Sequence, residues 1–186
     1  MAATAQRRAT YDDLLALPEN VIGEIIDGVL ITQPRPAIRH ARASSTLGGF
    51  LDGPFDRGRG GPGGWVILDE PELHLGPHVL VPDLAGWRRT RMPVIPDAAA
   101  FTLAPDWVCE IVSPGTAKID RIDKLPLYAS FAVAHAWLID PLVQTLEAFT
   151  LVDGRWSLFA AHRDDAVVRV APFDAIEIEL AALWAR

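Results

Sequence analysis

A glutamate in the middle of the run Trp107-Val108-Cys109-Glu110-Ile111-Val112 constrains this chain more than any other feature. A short apolar run of this kind reads as a strand buried on both faces, at the centre of a sheet. A carboxylate in such a place is rarely tolerated unless it is paired with a cation or holds a metal. The pattern recurs upstream, where Asp83 stands in the apolar run Val81-Pro82-Asp83-Leu84. Downstream, Asp120-Arg121-Ile122-Asp123-Lys124 carries a lysine just past the glutamate-bearing run.

The chain of 186 residues suits one domain, spanning 1–186 with residues 1–10 as a disordered tail. Thr10 is placed to cap a short helix from Tyr11, with Asp12 and Asp13 in its first turn. Residues 24–33 read as a hairpin around Asp27-Gly28, and Pro34 and Pro36 break the chain after it. A helix is expected over His40 to Leu51, and a glycine-rich surface loop over 52–64 with Arg57 and Arg59. No Gly-Lys-Ser/Thr follows that loop, so it is not a phosphate cradle. Trp65 to Leu75 and His78 to Trp87 read as the arms of a hairpin turning at Gly76-Pro77, with Asp83 in the second arm. After a connection over 88–106 come a strand at Trp107–Val112, a helix from Asp120 to Phe131 and a strand at Ala136–Ile139. The remainder is β-rich: Thr145–Leu151 and Arg155–Ala161 flank the turn Asp153-Gly154, followed by Val167–Val170 and Ile176–Leu180. Ala181–Trp184 reads as a short terminal helix.

Two acids and a lysine converging at a sheet edge are the parts of a magnesium-dependent phosphodiesterase. Magnesium takes one or two carboxylates with waters and substrate phosphate, and Asp83 and Glu110 supply them on neighbouring strands. Asp120 and Lys124 are four apart and share a helix face. Lys118, in the loop before that helix, is the rival lysine.

Pro82-Asp83, Glu110 and Lys124 resemble the PD-(D/E)xK nuclease superfamily, and its Uma-type restriction endonuclease family in particular. The resemblance extends to an N-terminal acidic strand (Gly23-Glu24-Ile25-Ile26-Asp27-Gly28) and to Ser113-Pro114 after the glutamate strand. It continues through Asp120-Arg121-x-x-Lys124 running to Tyr128, and the strand Trp137 to Pro141. It covers the chain from about Tyr11 to Pro141. It implies an α/β (α+β) fold, a mixed sheet flanked by helices, here with a β-rich C-terminal extension packed on it. It also implies an endonuclease acting on DNA with Mg²⁺ or Mn²⁺. In that reading Asp83, Glu110 and Lys124 are catalytic. Asp83, Glu110, the carbonyl of Ile111 and Glu24 attend the metal. The strict pattern puts its lysine two residues after the glutamate, where this chain has Val112, and the resemblance moves that role to Lys124.

Bland readings stand beside these. Asp83 has the lesser reading of an edge or turn acid that caps a loop, Glu110 that of half of a buried ion pair, and Asp120 with Lys124 that of a solvated pair. Arg121 either contacts phosphate or lies on the surface, and Tyr128 reads as packing. The resemblance, in which a histidine often opens this helix, brings His40 towards the site, beside the commoner reading of a lone histidine as structural or exposed. His74 and His78 flank a Gly-Pro turn with no period to bring them together, so they are not paired as ligands. The tryptophans read as core. A net charge of −7 argues against strong non-specific nucleic-acid binding. The competing function is therefore a non-catalytic module of the same fold that binds nucleic acid or protein. A cupin-type barrel ranks last, for want of a histidine cluster. The lone Cys109 excludes an intrachain disulfide and a cysteine-rich zinc site. With no apolar leader and no membrane-spanning run, a cytoplasmic protein is expected, paired as a homodimer by analogy with enzymes that cut both strands.

Overall fold

The computed structural model describes residues 7–18, 20–33 and 36–184. Helix α1 (Tyr11–Leu15) starts as the sequence suggests, with the Asp13 carboxylate accepting from the Thr10 N–H at 2.8 Å and hydroxyl at 2.9 Å. Of the expected tail, residues 1–6 lie outside the described residues, but Arg7 to Thr10 are tied down. Arg7 pairs with Asp13 at 2.6 Å, and the Ala9 N–H donates to the Gly28 carbonyl at 2.8 Å. Strands β1 (Ile22–Ile26) and β2 (Val29–Gln33) form the first hairpin. Its two-residue turn needs positive φ at both positions, which Asp27 (52°) and Gly28 (80°) adopt. Pro34 lies outside the described residues.

Helix α2 (Ile38–Leu51) buries Ala43, Leu47 and Leu51, a four-residue spacing on one face. It runs on into a π-helical turn, Asp52–Asp56, so the expected loop begins only at Arg57. Arg57 is held to Asp52 at 2.8 Å. Pro54 lies inside that wide turn, where a missing N–H breaks the tighter hydrogen-bond ladder.

The expected long hairpin is instead four short strands: β3 (Trp65–Asp69), β4 (Leu73–Leu75), β5 (His78–Leu80) and β6 (Leu84–Arg88). β4 and β5 turn at Gly76-Pro77 and join the first hairpin in a sheet of order β2-β1-β5-β4. β3 and β6 pair in a second, six-stranded sheet, completed by β7 (Trp107–Ile111), β8 (His135–Asp140), β9 (Thr145–Val152) and β10 (Arg155–Arg163). Its order is β10-β9-β8-β7-β6-β3, with β7 and β8 parallel and every other pair antiparallel. Val81-Pro82-Asp83 is the joint between the sheets. Pro82 cannot donate to a ladder, so a strand running through it is interrupted. Asp83 thus sits at a strand's threshold rather than inside an arm.

The β7–β8 crossover also departs from a plain helix. Residues Ile119–Lys124 form a π-helical turn, and α3 proper is Leu125–Ser130. Pro126 removes one donor and crowds the carbonyl four residues back, so the chain widens just before it. The C-terminal half divides. β9 and β10 extend the main sheet. The ribbon of β11 (Val167–Val168) and β12 (Ile178–Glu179), with the 3₁₀ turn Leu180–Leu183, closes over one face beside α2.

Side-chain alternation along β7 splits the core in two. Cys109 and Ile111 join α2, Phe173 and the C-terminal ribbon; Val108 and Val112 join Leu125, Tyr128 and the smaller sheet. Trp107 and Trp137 meet edge-on, ring centroids 5.4 Å apart, with Phe173 against both, so these tryptophans are packing residues. No helix among the described residues is long and apolar enough to cross a membrane.

Candidate active site

Glu110 points to the same side of β7 as Val108 and Val112, since residues two apart share a face. It is 3% exposed. The strand that buries it supplies no cation, because position 112 is an apolar residue 2% exposed in the same core. The cation comes from the π-helical turn. Lys124, 1% exposed, places Nζ 2.9 Å from Glu110 Oε1 and 2.9 Å from Glu24 Oε1. It also donates to the Val81 carbonyl at 3.2 Å. An ammonium has three donors, so each is used. Burial opposes the charge on Lys124, but Glu110 and Glu24 together hold its pKa above the ordinary lysine value. Lys118 is exposed, so Lys124 is the lysine brought to the acids.

Glu24, on β1, has no measurable exposure. Oε1 also accepts from the Val81 N–H at 2.7 Å, and Oε2 accepts from Gln33 Nε2 at 2.9 Å. Both oxygens are engaged by protein, and the residue faces Lys124. Tyr128, four residues beyond Lys124, donates its hydroxyl to Glu110 Oε1 at 2.6 Å. It is a hydrogen-bonding partner as well as a packing residue. Burial and the neighbouring carboxylates push its pKa well above the usual phenol range.

Asp83 accepts from the Ile111 N–H at 2.6 Å through Oδ2, and Oδ1 lies 3.1 Å from His40 Nε2. His40, in the first turn of α2, does approach the site. Burial lowers its basicity, and the Asp83 carboxylate more than offsets this, leaving the pKa raised. Asp120 is 3% exposed, so it is a buried acid and not half of a solvated pair with Lys124. Burial lifts its carboxyl to about 6, against the opposing pull of Lys124. Asp83, Glu110, Asp120, Lys124, His40 and Glu70 line one cavity of about 380 Å³. Glu70 holds a positive φ of 47°, a conformation no sequence signal announces for glutamate.

The acids outnumber the cations here. Burial comes first in raising the Glu110 pKa well above the carboxylate range, Lys124 opposes it, and Asp120, Asp83 and Glu24 add to it. Hard oxygen donors with uncompensated negative charge are the chemistry of a magnesium or manganese site, for which one or two carboxylates suffice. Among the described residues no group of three or more His, Cys, Asp or Glu side chains is arranged to hold a metal ion. The fit therefore rests on the pair Asp83 and Glu110 with the backbone of Ile111, all on the cavity wall.

The other singled-out residues lie elsewhere. Arg121 is paired with Glu147 at 2.7 Å. His74 is bound to Glu72 at 2.7 Å, while the His78 ring accepts from the Asp27 N–H at 3.2 Å. His78 is opposite Leu75, the neighbour of His74, so the two histidines occupy opposite faces of their hairpin.

No curated protein matches the chain. A solved structure of "a putative nuclease belonging to DUF820" from Anabaena variabilis superposes with a TM-score of 0.75 at 25% identity, covering 94% of this chain and 97% of that one. A family model named Uma2 and described as "Putative restriction endonuclease" matches residues 9–182. That match spans nearly the whole chain, which therefore belongs to the Uma2 family.

Proposed function

We propose that this chain is a metal-dependent endonuclease that hydrolyses DNA phosphodiester bonds within a single nuclease-like domain. The observation that carries the reading is the convergence of Asp83 and Glu110 on one cavity, with a fully buried lysine against the second acid. Asp83, Glu110 and the Ile111 carbonyl are assigned to Mg²⁺ or Mn²⁺. When bound, such an ion supplies an activated water, neutralises charge on the phosphoryl oxygens and assists the leaving oxygen.

The chain's own groups have separable tasks. His40 and the Ile111 N–H hold the two oxygens of Asp83 and so fix the carboxylate's orientation. Tyr128 does the same for Glu110. Lys124 is the cation facing the reacting phosphate and its water. Its contact to the neutral Val81 carbonyl, at 3.2 Å the longest of its three, is the one given up to reach them. Glu24 acts through Lys124, holding the ammonium charged and aimed. A homodimer suits cleavage of both strands of a duplex.

One observation favours the competing non-catalytic module. Lys124 already has three partners inside the protein, so the cluster is satisfied without substrate. A single assay separates the readings: cleavage of plasmid and single-stranded DNA with Mg²⁺ or Mn²⁺ by wild type and by Asp83→Ala, purified identically. The nuclease reading expects metal-dependent cutting that disappears in the variant. No cutting by wild type, or equal cutting by both, makes the non-catalytic module the account to keep.

A further inference from the structure

A second cleft lies on the Glu110 face of the main sheet, two strands away. Residues paired across strands point to one face. Glu110 stands opposite Leu138, Leu138 opposite Glu147, and Glu147 opposite Ala161. Glu147 therefore shares the face of Glu110, and two strand spacings put it about 10 Å away. Two residues along each strand, Thr145 stands opposite Arg163, which places Arg163 on that face as well.

Arg121 reaches this cleft from above, its guanidinium 2.7 Å from the Glu147 carboxylate. With Thr145, Glu147 and Arg163 it lines a cavity of about 420 Å³. The same π-helical turn carries Lys124 to Glu110, so one segment, Ile119–Lys124, spans both clefts. In a chain of net charge −7, this cleft sets two guanidiniums against one carboxylate. Arg163 also lies 3.6 Å from Asp164, but those side chains are 84% and 70% exposed, and such a pair is weak. A guanidinium carries five donors and a single carboxylate occupies only part of that fork.

We propose that Arg121 and Arg163 clamp a backbone phosphate of the nucleic-acid substrate that flanks the bond being cut, with Glu147 holding Arg121 until that phosphate displaces it. The separation of about 10 Å between the two positions exceeds the axial advance of about 3.4 Å per phosphate on one duplex strand, so the clamped phosphate is a different one from that being cut. The proposal rests on the nuclease reading above.

The test is fluorescence anisotropy of an end-labelled oligonucleotide over a salt series, with Ca²⁺ in place of Mg²⁺. Wild type is compared with Arg121→Gln, Arg163→Gln and Glu147→Gln. Each arginine variant is expected to weaken binding about tenfold at low salt, the loss of one charge-assisted hydrogen bond. Each should also flatten the slope of log K against log salt by about 1. Glu147→Gln frees Arg121 and is expected to tighten binding, by up to about fivefold, the strength of a partly exposed surface ion pair. A purely structural pair would move Arg121→Gln and Glu147→Gln the same way; that result, or an unchanged salt slope in Arg121→Gln, overturns the clamp. Bis(p-nitrophenyl) phosphate is too short to reach the second cleft. If wild type and Arg121→Gln hydrolyse it equally, the nuclease reading stands whatever becomes of the clamp. A wild type that neither binds the oligonucleotide nor hydrolyses either substrate removes both.

Discussion

Replacing Lys124 with methionine keeps most of the side-chain volume and removes the one cation between two carboxylates that are 0% and 3% exposed. At an effective dielectric of about 20, each contact of 2.9 Å is worth roughly 6 kcal/mol of gross attraction. Much of this is offset by the desolvation of the lysine itself, which the substitution relieves. What remains is the penalty of uncompensated buried charge, expected to be about 3–5 kcal/mol. That is a large part of a domain's whole stability of about 5–15 kcal/mol. Equilibrium urea unfolding of Lys124→Met, Glu110→Gln and the double variant measures it as a cycle. The double variant should be more stable than Lys124→Met alone, because it removes one of the two buried carboxyl groups left without a cation. The pH dependence has a definite sign. Without the lysine, which opposes the rise, the folded-state pKa of Glu110 climbs further, so the folded protein binds more protons than the unfolded chain. The deficit should therefore shrink as pH falls from 7 towards 5. A loss below about 1 kcal/mol, or one that does not change with pH, would refute the view that this lysine is a structural counter-ion for two acids.

The neighbouring groups give further outcomes. The Asp120 carboxyl rises to about 6 from 3.8, so its contribution to stability is fully present below the unfolded value and lost as pH rises through about 6. Asp120→Asn should stabilise the metal-free protein at pH 7 by up to about 3 kcal/mol and change little at pH 4, as thermal unfolding at the two pH values would reveal. Tyr128→Phe leaves Glu110 with one fewer donor in a buried place and should cost about 1–3 kcal/mol in urea unfolding; a neutral result would mean that the 2.6 Å contact contributes nothing. Gly86→Ala sets a methyl 3.1 Å from Ile67, 3.2 Å from Trp65 and 3.3 Å from Trp107, between the two strands that flank β6, and overpacking there should cost about 1–3 kcal/mol. Mg²⁺ at 100 times its Kd should raise wild-type stability by about 3 kcal/mol, with the gain reduced in Asp83→Ala; equal gains in both would place the ion elsewhere.

The sequence makes the hairpins and the glutamate strand legible because their signals are local. Asp27-Gly28 and Asp153-Gly154 name their turns, and a six-residue apolar run names a central strand. The joint at Val81–Asp83 is hidden because apolar residues flank Pro82-Asp83 on both sides, and only the partners show that the chain changes sheets there. The π-helical turns are hidden for another reason. Pro54 and Pro126 announce a disturbance, but whether a helix ends or widens depends on what packs against it. Site membership divides the same way. Glu110 and Lys124 are visible as a misplaced charge and a motif, and Tyr128 is legible in retrospect from its four-residue spacing to Lys124. Asp120 as a buried acid, and Gln33 on Glu24, depend on contacts between segments far apart in sequence. The Arg121–Glu147 pair joins the crossover to β9, and no local pattern links those positions.

The lysine at the glutamate comes from the crossover and not from the strand, and this fixes when the cluster can form. β7 and β8 are parallel neighbours, so their pairing requires the intervening segment Val112–Ala134 to close as a loop. Such closure costs chain entropy before any contact between the strands returns it. Glu110 receives its counter-ion only once that loop has closed and docked. Until then the carboxylate is poorly suited to burial, and a partly folded chain holds no assembled cluster. Any activity of this protein should then appear late in refolding, with the last structural phase, and would report completed folding more strictly than the return of secondary structure does.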